Sequence, residues 1–145
     1  VDAEAKESHK DQEEAELAKL EQTLGVGAKG KGAAKAQRDA RSAIKDLQDQ
    51  HKKRAKRRVI DNLDLVLVDL SGVYRDALIQ KVGAQVDLTH PDFAGLSGEI
   101  AQRVSEEGLL ECQAAITLCR EQLTQNVGTQ IAFDGLVGRL RRACL

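Results

Sequence analysis

The chain has 145 residues, a formal net charge of −1 and 41% hydrophobic residues, which fits one domain, or one domain with an appendage. No apolar run approaches the roughly 20 residues that cross a bilayer, and no signal peptide opens the sequence, so no membrane partner is expected. Three cysteines form no even-numbered disulfide framework, which favours a reducing, cytoplasmic location. The sequence begins without Met inside an apparently helical stretch, so we expect a fragment of a longer protein.

Charge and large apolar residues are distributed unevenly along the chain. Residues 1–24 carry a net charge of −5, residues 25–60 carry +9, and residues 61–145 carry −5. Residues 1–58 contain seven Val, Ile, Leu, Phe or Tyr residues, whereas residues 59–145 contain thirty-one. Only the second part can bury a sizeable core. We therefore predict a helical hairpin over 1–58 and a helical bundle over 59–145.

The first region has the pattern of two helices joined by a turn. Residues 1–24 are rich in Ala, Glu, Lys and Gln, which are strong helix formers, and four glycines then make a turn over residues 25–32. Because neither Gly nor Pro occurs from Ala33 to Ser71, one helix is predicted from about Ala33 to Val82. Apolar edges should pair the two helices as an antiparallel hairpin that projects from the bundle. These edges comprise Leu17, Leu20 and Leu24 on the first helix and Ala33, Ala36, Ala40, Ile44 and Leu47 on the second.

The stretch from Val59 to Val82 is predicted to be the central helix of the bundle. Its apolar residues recur at spacings of three and four over about six turns, which is longer than a typical strand. Two adjacent apolar stripes make this face wider than a modest bundle needs, so we hypothesise that part of it faces another subunit. The stripes are Ile60, Leu63, Leu67, Leu70, Tyr74, Ala77 and Lys81, and Val59, Leu63, Val66, Leu70, Val73 and Ala77.

Three further helices complete a predicted all-α architecture of five. Gly83 should end the long helix, and Pro91 in a first turn, with Thr89 or His90 as the cap, should begin the third. Ser105 marks the start of the fourth helix, and Gly128 separates it from the fifth. The predicted apolar stripes are Phe93, Leu96, Ile100 and Val104; Leu109, Cys112, Ile116, Cys119 and Leu123; and Phe133, Leu136, Val137, Leu140 and Cys144.

The glycine-rich turn imitates two nucleotide-binding motifs. Residues 25–30 fit GxGxxG, and Gly25 with Gly30 and Lys31 fits GxxxxGK, but Gly32 stands where a magnesium-binding Ser or Thr is needed. Both motifs normally follow a strand, whereas a charged helix precedes this loop. We therefore expect a flexible turn between helices, with no cofactor and no small-molecule substrate.

A dense basic run lies in the outer half of the long helix. It comprises Lys52, Lys53, Arg54, Lys56, Arg57 and Arg58. Two interpretations are open: contact with nucleic-acid phosphates or an acidic protein surface, or a solvated stalk that pairs with the acidic first helix. No aromatic residues are interleaved with the run, so stacking on single-stranded bases is not expected.

Other candidate residues are few. Arg75 and Asp76, next to Tyr74, flank the buried stripe, so Tyr74, Arg75 and Asp76 form either a pair within the bundle or a subunit interface. Cys112 and Cys119 share a helix face about two turns apart, too far for one zinc ion, and are interpreted as core residues. Cys144 and the histidines show no ligand spacing. No nucleophile–base pair stands out, so no catalytic site is expected.

A family resemblance is carried by an acidic Ala/Glu helix followed by LGVGAKGKGAAK, AIKDLQDQHKKRAKRR and LDLVLVDLSGVYRDAL. These segments resemble the C-terminal part of the delta-prime subunits of bacterial DNA polymerase III, over nearly the whole chain. The resemblance implies a collar domain of the clamp loader, the AAA+ pentamer that opens the sliding clamp and places it on primed DNA. Other clamp-loader subunits would be its partners. The family's sensor motifs and arginine finger lie in N-terminal modules absent from this sequence, so no catalytic residue carries over, and the role of the basic hairpin is not implied.

Overall fold

The computed structural model describes residues 2–24 and 33–145, and this part of the chain is all-α. The chain divides into two compact units, Val1–Arg58 (unit 1) and Val59–Leu145 (unit 2). None of the described helices is both long enough and apolar enough to span a membrane. The helices are α1 (Asp2–Thr23), α2 (Ala33–Val82), α3 (Ala94–Arg103), α4 (Glu106–Thr124) and α5 (Thr129–Ala143), with a 3-10 turn at Pro91–Phe93 before α3.

The predicted long helix is confirmed as α2, which has 50 residues. A glycine inside this helix, Gly72, has a packing reason, because a side chain there would collide with the ring of His90 and with Thr89. Gly83 follows the helix with φ of 67°, a left-handed conformation that favours glycine and ends helices. The missing side chain therefore admits a returning loop at Gly72, and the left-handed backbone stops α2 at Gly83.

Unit 1 has a thin apolar seam. Leu17 and Leu20 of α1 and Leu24 just after it are half-buried, as are Ile44 and Leu47 of α2. The predicted edge of α2 is otherwise narrower than expected, since Ala40 is buried but Ala36 is exposed. Small apolar burial of this kind contributes little to stability, so polar contacts take a larger share of holding α1 against α2. Whether the pair projects from the bundle stays a prediction.

Unit 2 is built around two buried clusters on α2. Leu67 centres the first and Ala77 the second, and Tyr74 packs against both, as the first predicted stripe requires. The α4 stripe is confirmed in full, because all five of its members are buried. The first cluster comprises Leu67, Ala115, Ile116, Cys119, Leu123, Ala132 and Leu136, and the second comprises Ala77, Ala101, Val104 and Leu109.

The predicted stripe on α3 is wrong in its first half. Phe93 and Leu96 are about half exposed, and the residues that face the core are the small Ser97 and Ala101. The Ser97 hydroxyl receives a 2.6 Å hydrogen bond from the amide of Gln80 on α2. The buried side of α3 is therefore marked by these small residues, and the large apolar residues Phe93 and Leu96 do not mark it.

Polar side chains fix α4 against α2. The Ser71 hydroxyl donates to the Gln113 side-chain oxygen, and the Gln113 amide donates back to the Ser71 carbonyl, both at 2.7 Å. Arg120 donates two hydrogen bonds to the carboxylate of Asp64, at 2.7 and 3.0 Å. Bidentate and reciprocal bonds specify orientation as well as energy, so they set the register between the two helices.

Candidate functional site

Within unit 1, two bases of the basic run form ion pairs with glutamates of α1. Arg54 donates to Glu16 at 2.7 Å, and Arg58 donates to Glu13 at 2.8 Å. Arg54 and Arg58 are four residues apart and therefore share one face of α2, just as the two glutamates share one face of α1. The higher-numbered arginine pairs with the lower-numbered glutamate, so the two helices run antiparallel there. These two of the six bases match the interpretation of a stalk paired with the acidic first helix.

A buried histidine belongs to the same contact. His51 is only 6% exposed, and its Nε2 lies 3.0 Å from a carboxylate oxygen of Glu16. The Glu16 carboxylate is thus hydrogen-bonded to both His51 and Arg54. Hydrogen bonds from Arg54 first, and from His51 second, lower the pKa of Glu16, and the hydrogen bond from Arg58 lowers the pKa of Glu13. Both glutamates are therefore charged at neutral pH.

The four remaining bases of the run make no hydrogen bond or ion pair with α1 within the described residues. Lys53, Lys56 and Arg57 are exposed, and within the described parts of the chain no hydrogen bond or ion pair holds them. Their spacing of three and one places them on a common face of α2, whose centre lies more than a quarter turn from that of Arg54 and Arg58. Lys52 differs again, since it lies 3.7 Å from Asp49 of its own helix in an exposed pair. Lys53, Lys56 and Arg57 are called the free basic face below.

Asp76, Arg75, Thr89 and His90 form a cluster of hydrogen bonds in unit 2, which is called the polar latch below. The Asp76 carboxylate is fully buried and accepts hydrogen bonds from the backbone N–H groups of Thr89 and His90, at 2.8 and 2.7 Å. Arg75 donates to the same carboxylate at 3.2 Å and to the Thr89 hydroxyl at 2.6 Å. His90, one of the two residues predicted as the cap, occupies the N-cap position of the 3-10 turn, but its side chain makes no capping hydrogen bond. A carboxylate from α2 satisfies the two N–H groups just before it instead.

The protonation of Asp76 follows from these contacts. Burial alone would raise the pKa of Asp76, but the N–H groups of Thr89 and His90, the Thr89 hydroxyl and the Arg75 guanidinium together lower it below its usual range. The carboxylate is therefore ionised and fully hydrogen-bonded in a site with almost no solvent contact. An arrangement of this kind holds the returning loop against α2.

Of the three predicted interface residues, only Arg75 has substantial exposure. Its side chain is 48% exposed, whereas Asp76 is buried and Tyr74 is half-buried between the two clusters of the core. Burial raises the pKa of Tyr74, with the nearby sulfurs of Cys112 and Cys144 adding to the effect. An interface with another protein at these residues stays a prediction, while the contacts of Asp76 in unit 2 are within the chain.

Several large apolar residues of α2 are exposed in unit 2. Val59, Leu65, Val66 and Val68 are between 42% and 63% exposed. Val59 and Val66 belong to the second predicted stripe. The bundle therefore leaves part of that stripe exposed. Four exposed apolar residues thus lie within ten residues of one helix, with the exposed polar residues Asp61, Asn62 and Asp69 between them. We call these four residues the α2 apolar patch.

The nucleotide-like motif over residues 25–32 lies outside the described residues. Cys112 and Cys119 are buried in the core, as interpreted from the sequence, and Cys144 lies with its Sγ 3.8 Å from that of Cys112. Among residues 2–24 and 33–145 no group of three metal-ligating side chains is present.

The sequence carried no signal for the pairing of Glu13 and Glu16 with specific arginines, because that pairing depends on the register of α1 against α2.

One comparison with known proteins gives a result. Residues 36–136 match the family model described as DNA polymerase III, delta subunit, C terminal. The matched segment includes most of α2, all of α3 and α4, and α5 as far as Leu136. No curated protein and no solved structure is significantly similar to the chain.

Proposed function

Since the chain belongs to the family of C-terminal domains of the DNA polymerase III delta subunit, we propose that it is a non-catalytic collar domain of the clamp loader. It holds clamp-loader subunits together while they open the sliding clamp and place it on primed DNA. Within the cell we place it in the cytoplasm, where replication of bacterial DNA proceeds. The family resemblance of the sequence further favours delta-prime over delta.

The observation that supports this proposal most strongly is the α2 apolar patch. Besides the residues that it packs against the core, α2 leaves Leu65 63% exposed and Val66 57% exposed. Covering such side chains by a partner stabilises an assembly by about 25 cal/mol for each Å² of apolar surface removed from water. The occupant we propose is the corresponding helical domain of a neighbouring clamp-loader subunit, since members of one family offer helices with matching apolar faces.

Size-exclusion chromatography with the remaining clamp-loader subunits of the same organism tests the proposal. The parent chain should co-elute with them. The double variant Leu65→Glu/Val68→Glu should lose co-elution, because it places two charges in the proposed contact. The matched control is Leu110→Glu, which changes an equally exposed leucine on α4 and should behave like the parent.

Two results would contradict the proposal in different ways. If the double variant co-elutes as well as the parent, the α2 apolar patch is not the contact. If neither the chain nor the full-length protein ever co-elutes, the collar role itself is wrong. The delta-prime assignment has its own test: the full-length protein should restore the complex when delta-prime is omitted from the mixture, and fail to restore it when delta is omitted.

A second function, contact with nucleic-acid phosphates, is favoured by the free basic face. We infer that Lys53, Lys56 and Arg57 hold the phosphate backbone of duplex DNA, since Arg54 and Arg58 are already held by α1. Each phosphate contact releases counterions, so log Kd should depend on log salt with a slope of about 0.9 for each contact. The triple variant Lys53→Ala/Lys56→Ala/Arg57→Ala should bind more weakly, with a slope shallower by about 3.

A charge-matched control separates specific contact from general attraction. The variant Arg103→Ala/Arg141→Ala/Arg142→Ala removes three exposed bases from unit 2 and should bind a DNA duplex about as well as the parent. Fluorescence anisotropy over a salt series would measure both variants. Equal loss in both, or no loss in either, would overturn the assignment to the free basic face.

A further inference from the structure

Two cysteines far apart in the sequence lie side by side in unit 2. Cys112 is on α4, and Cys144 caps the C-terminal end of α5. Their Sγ atoms are 3.8 Å apart. Both are free thiols, as is Cys119. A sulfur–sulfur bond measures about 2.05 Å, so closing the pair needs a movement of less than about 2 Å at a residue just beyond the last turn of a helix.

A glycine explains why the two helix ends approach each other so closely. Gly108 lies in the first turn of α4, and a side chain there would collide with the backbone carbonyl of Ala143 and with Val104. The N–H of Gly108 is held by the hydroxyl of Ser105, which caps α4 at 3.0 Å. The end of α5 therefore rests directly on the start of α4, and the residue after Ala143 is carried to the neighbourhood of Cys112.

The two thiols differ in access. Cys112 is completely buried, whereas Cys144 is exposed. Burial first, and the neighbouring Cys144 sulfur second, raise the pKa of Cys112 to about 12. Cys112 is therefore a protonated thiol at neutral pH. A soluble oxidant can reach Cys144 first, since reactivity follows exposure and thiolate character.

The remaining cysteine lies out of reach of this pair. Cys119 is seven residues beyond Cys112 on α4, which is about 10 Å along the helix axis. It is buried in the cluster around Leu67 and Ile116. Burial also raises its pKa. Cys119 is thus an internal reference: a buried thiol on the same helix without a partner at bonding distance.

We propose that Cys112 and Cys144 are a thiol-oxidation site that closes to a reversible disulfide on contact with a peroxide. The Cys144 sulfur attacks the O–O bond, which breaks, giving a sulfenic acid on Cys144 and releasing water from hydrogen peroxide. The Cys112 sulfur then attacks the Cys144 sulfur. The S–O bond breaks, the S–S bond forms, and the Cys112 proton leaves with the hydroxide as a second water. Two thiols are oxidised, and one peroxide is reduced.

Thiol counting and peptide mapping test the site in the native chain. After treatment with hydrogen peroxide and removal of the oxidant, the denatured protein should show one thiol that reacts with Ellman's reagent, compared with three before treatment. A peptide that links Cys112 to Cys144 should appear in the non-reducing digest and disappear with dithiothreitol. The disulfide should form within one chain, so the protein should elute as before on non-reducing size exclusion.

Two variants control the experiment. Cys144→Ser changes an exposed position and should retain both remaining thiols, while Cys119→Ala should still lose two thiols and give the same linked peptide. The proposal is overturned if the parent keeps three thiols, if Cys144 proceeds to sulfinic acid without a linked peptide, or if Cys144 forms only disulfides between chains. It is also overturned if Cys144→Ser loses thiols as fast as the parent.

Discussion

The interactions that stabilise unit 1 differ from those that stabilise unit 2. Of the thirteen buried hydrophobic residues in the described part of the chain, twelve belong to unit 2, and Ala40 alone belongs to unit 1. Unit 1 instead has a buried histidine and two arginines that bond to the glutamates of α1. Hydrophobic burial is the dominant favourable contribution to folding, whereas exposed ion pairs contribute little. We therefore expect unit 2 to carry most of the stability and unit 1 to open more readily.

The same difference separates the two proposed functions. Unit 2 presents exposed apolar residues beside a packed core, which is suited to a lasting contact between subunits. Unit 1 presents charges on a pair of helices with little core, which is suited to a contact that changes with salt. One helix, α2, contains both surfaces. Mutations that act on one unit alone can therefore separate the two roles.

The largest expected effect is the loss of core packing in unit 2. Leu67→Ala removes a completely buried side chain from the cluster with Ile116 and should lower the free energy of unfolding by about 3–5 kcal/mol. Leu47→Ala in unit 1 removes a half-buried side chain and should cost about 1 kcal/mol. Urea denaturation followed by circular dichroism measures both. Equal losses in the free energy of unfolding for the two variants would contradict the contrast between the units. The control is Leu65→Ala at an exposed site, which should have almost no effect.

The next effect concerns the polar latch in unit 2. Asp76→Ala leaves the N–H groups of Thr89 and His90 without their acceptor and should cost about 2–4 kcal/mol. Because the pKa of Asp76 is lowered in the folded state, its stabilisation is present above the pKa of the unfolded chain and is lost as pH falls through the folded value. The difference between parent and variant should thus narrow below about pH 4. A difference that does not change with pH would exclude an ionised Asp76.

A smaller effect is expected at the start of α4. Ser105→Ala removes the hydroxyl that accepts from the Gly108 N–H and should cost about 1 kcal/mol. Ser105→Thr keeps the hydroxyl and should retain most of the stability. Chemical denaturation of the two variants side by side gives the comparison, and equal stability of Ala and Thr at this position would show that the cap contributes nothing.

The smallest effect on global stability is expected from the ion pairs of unit 1. Glu16→Gln removes the charge that receives His51 and Arg54, so amide hydrogen exchange in residues 44–58 should become faster while unit 2 is unchanged. Because Arg54 and Glu16 are each about half exposed, raising the salt concentration should reduce the difference between parent and variant. Glu14→Gln, at a neighbouring exposed position of α1, is the matched control. Faster exchange in unit 2 would contradict the separation of the units.

Much of the fold was predictable, because the helices follow from periodicity and from the positions of glycine. The α4 stripe from Leu109 to Leu123 is regular and is buried as predicted. The first half of the α3 prediction was wrong because large apolar residues were given more weight than small ones, although Ser97 and Ala101 are the buried residues of α3. Sequence periodicity shows which side of a helix is apolar, but it does not show that small side chains are the ones that face the core.

The candidate sites were less predictable, since each depends on contacts between distant residues. The basic run was visible, but its division into held and free bases depends on the register of α1 against α2. The latch depends on a loop that returns Thr89 and His90 to Asp76. The pairing of Cys112 with Cys144 depends on a close approach of helix ends at Gly108. No local pattern in the sequence encodes these three arrangements.

Parallel titration of the remaining clamp-loader subunits with three forms of the chain tests the central claim most directly. The forms are the parent, the unit 2 variant Leu65→Glu/Val68→Glu and the unit 1 variant Lys53→Ala/Lys56→Ala/Arg57→Ala. If unit 2 joins the subunits, the unit 1 variant should bind with the Kd of the parent, and the unit 2 variant should bind at least about tenfold more weakly. The opposite order, with binding lost only in the unit 1 variant, would contradict the account.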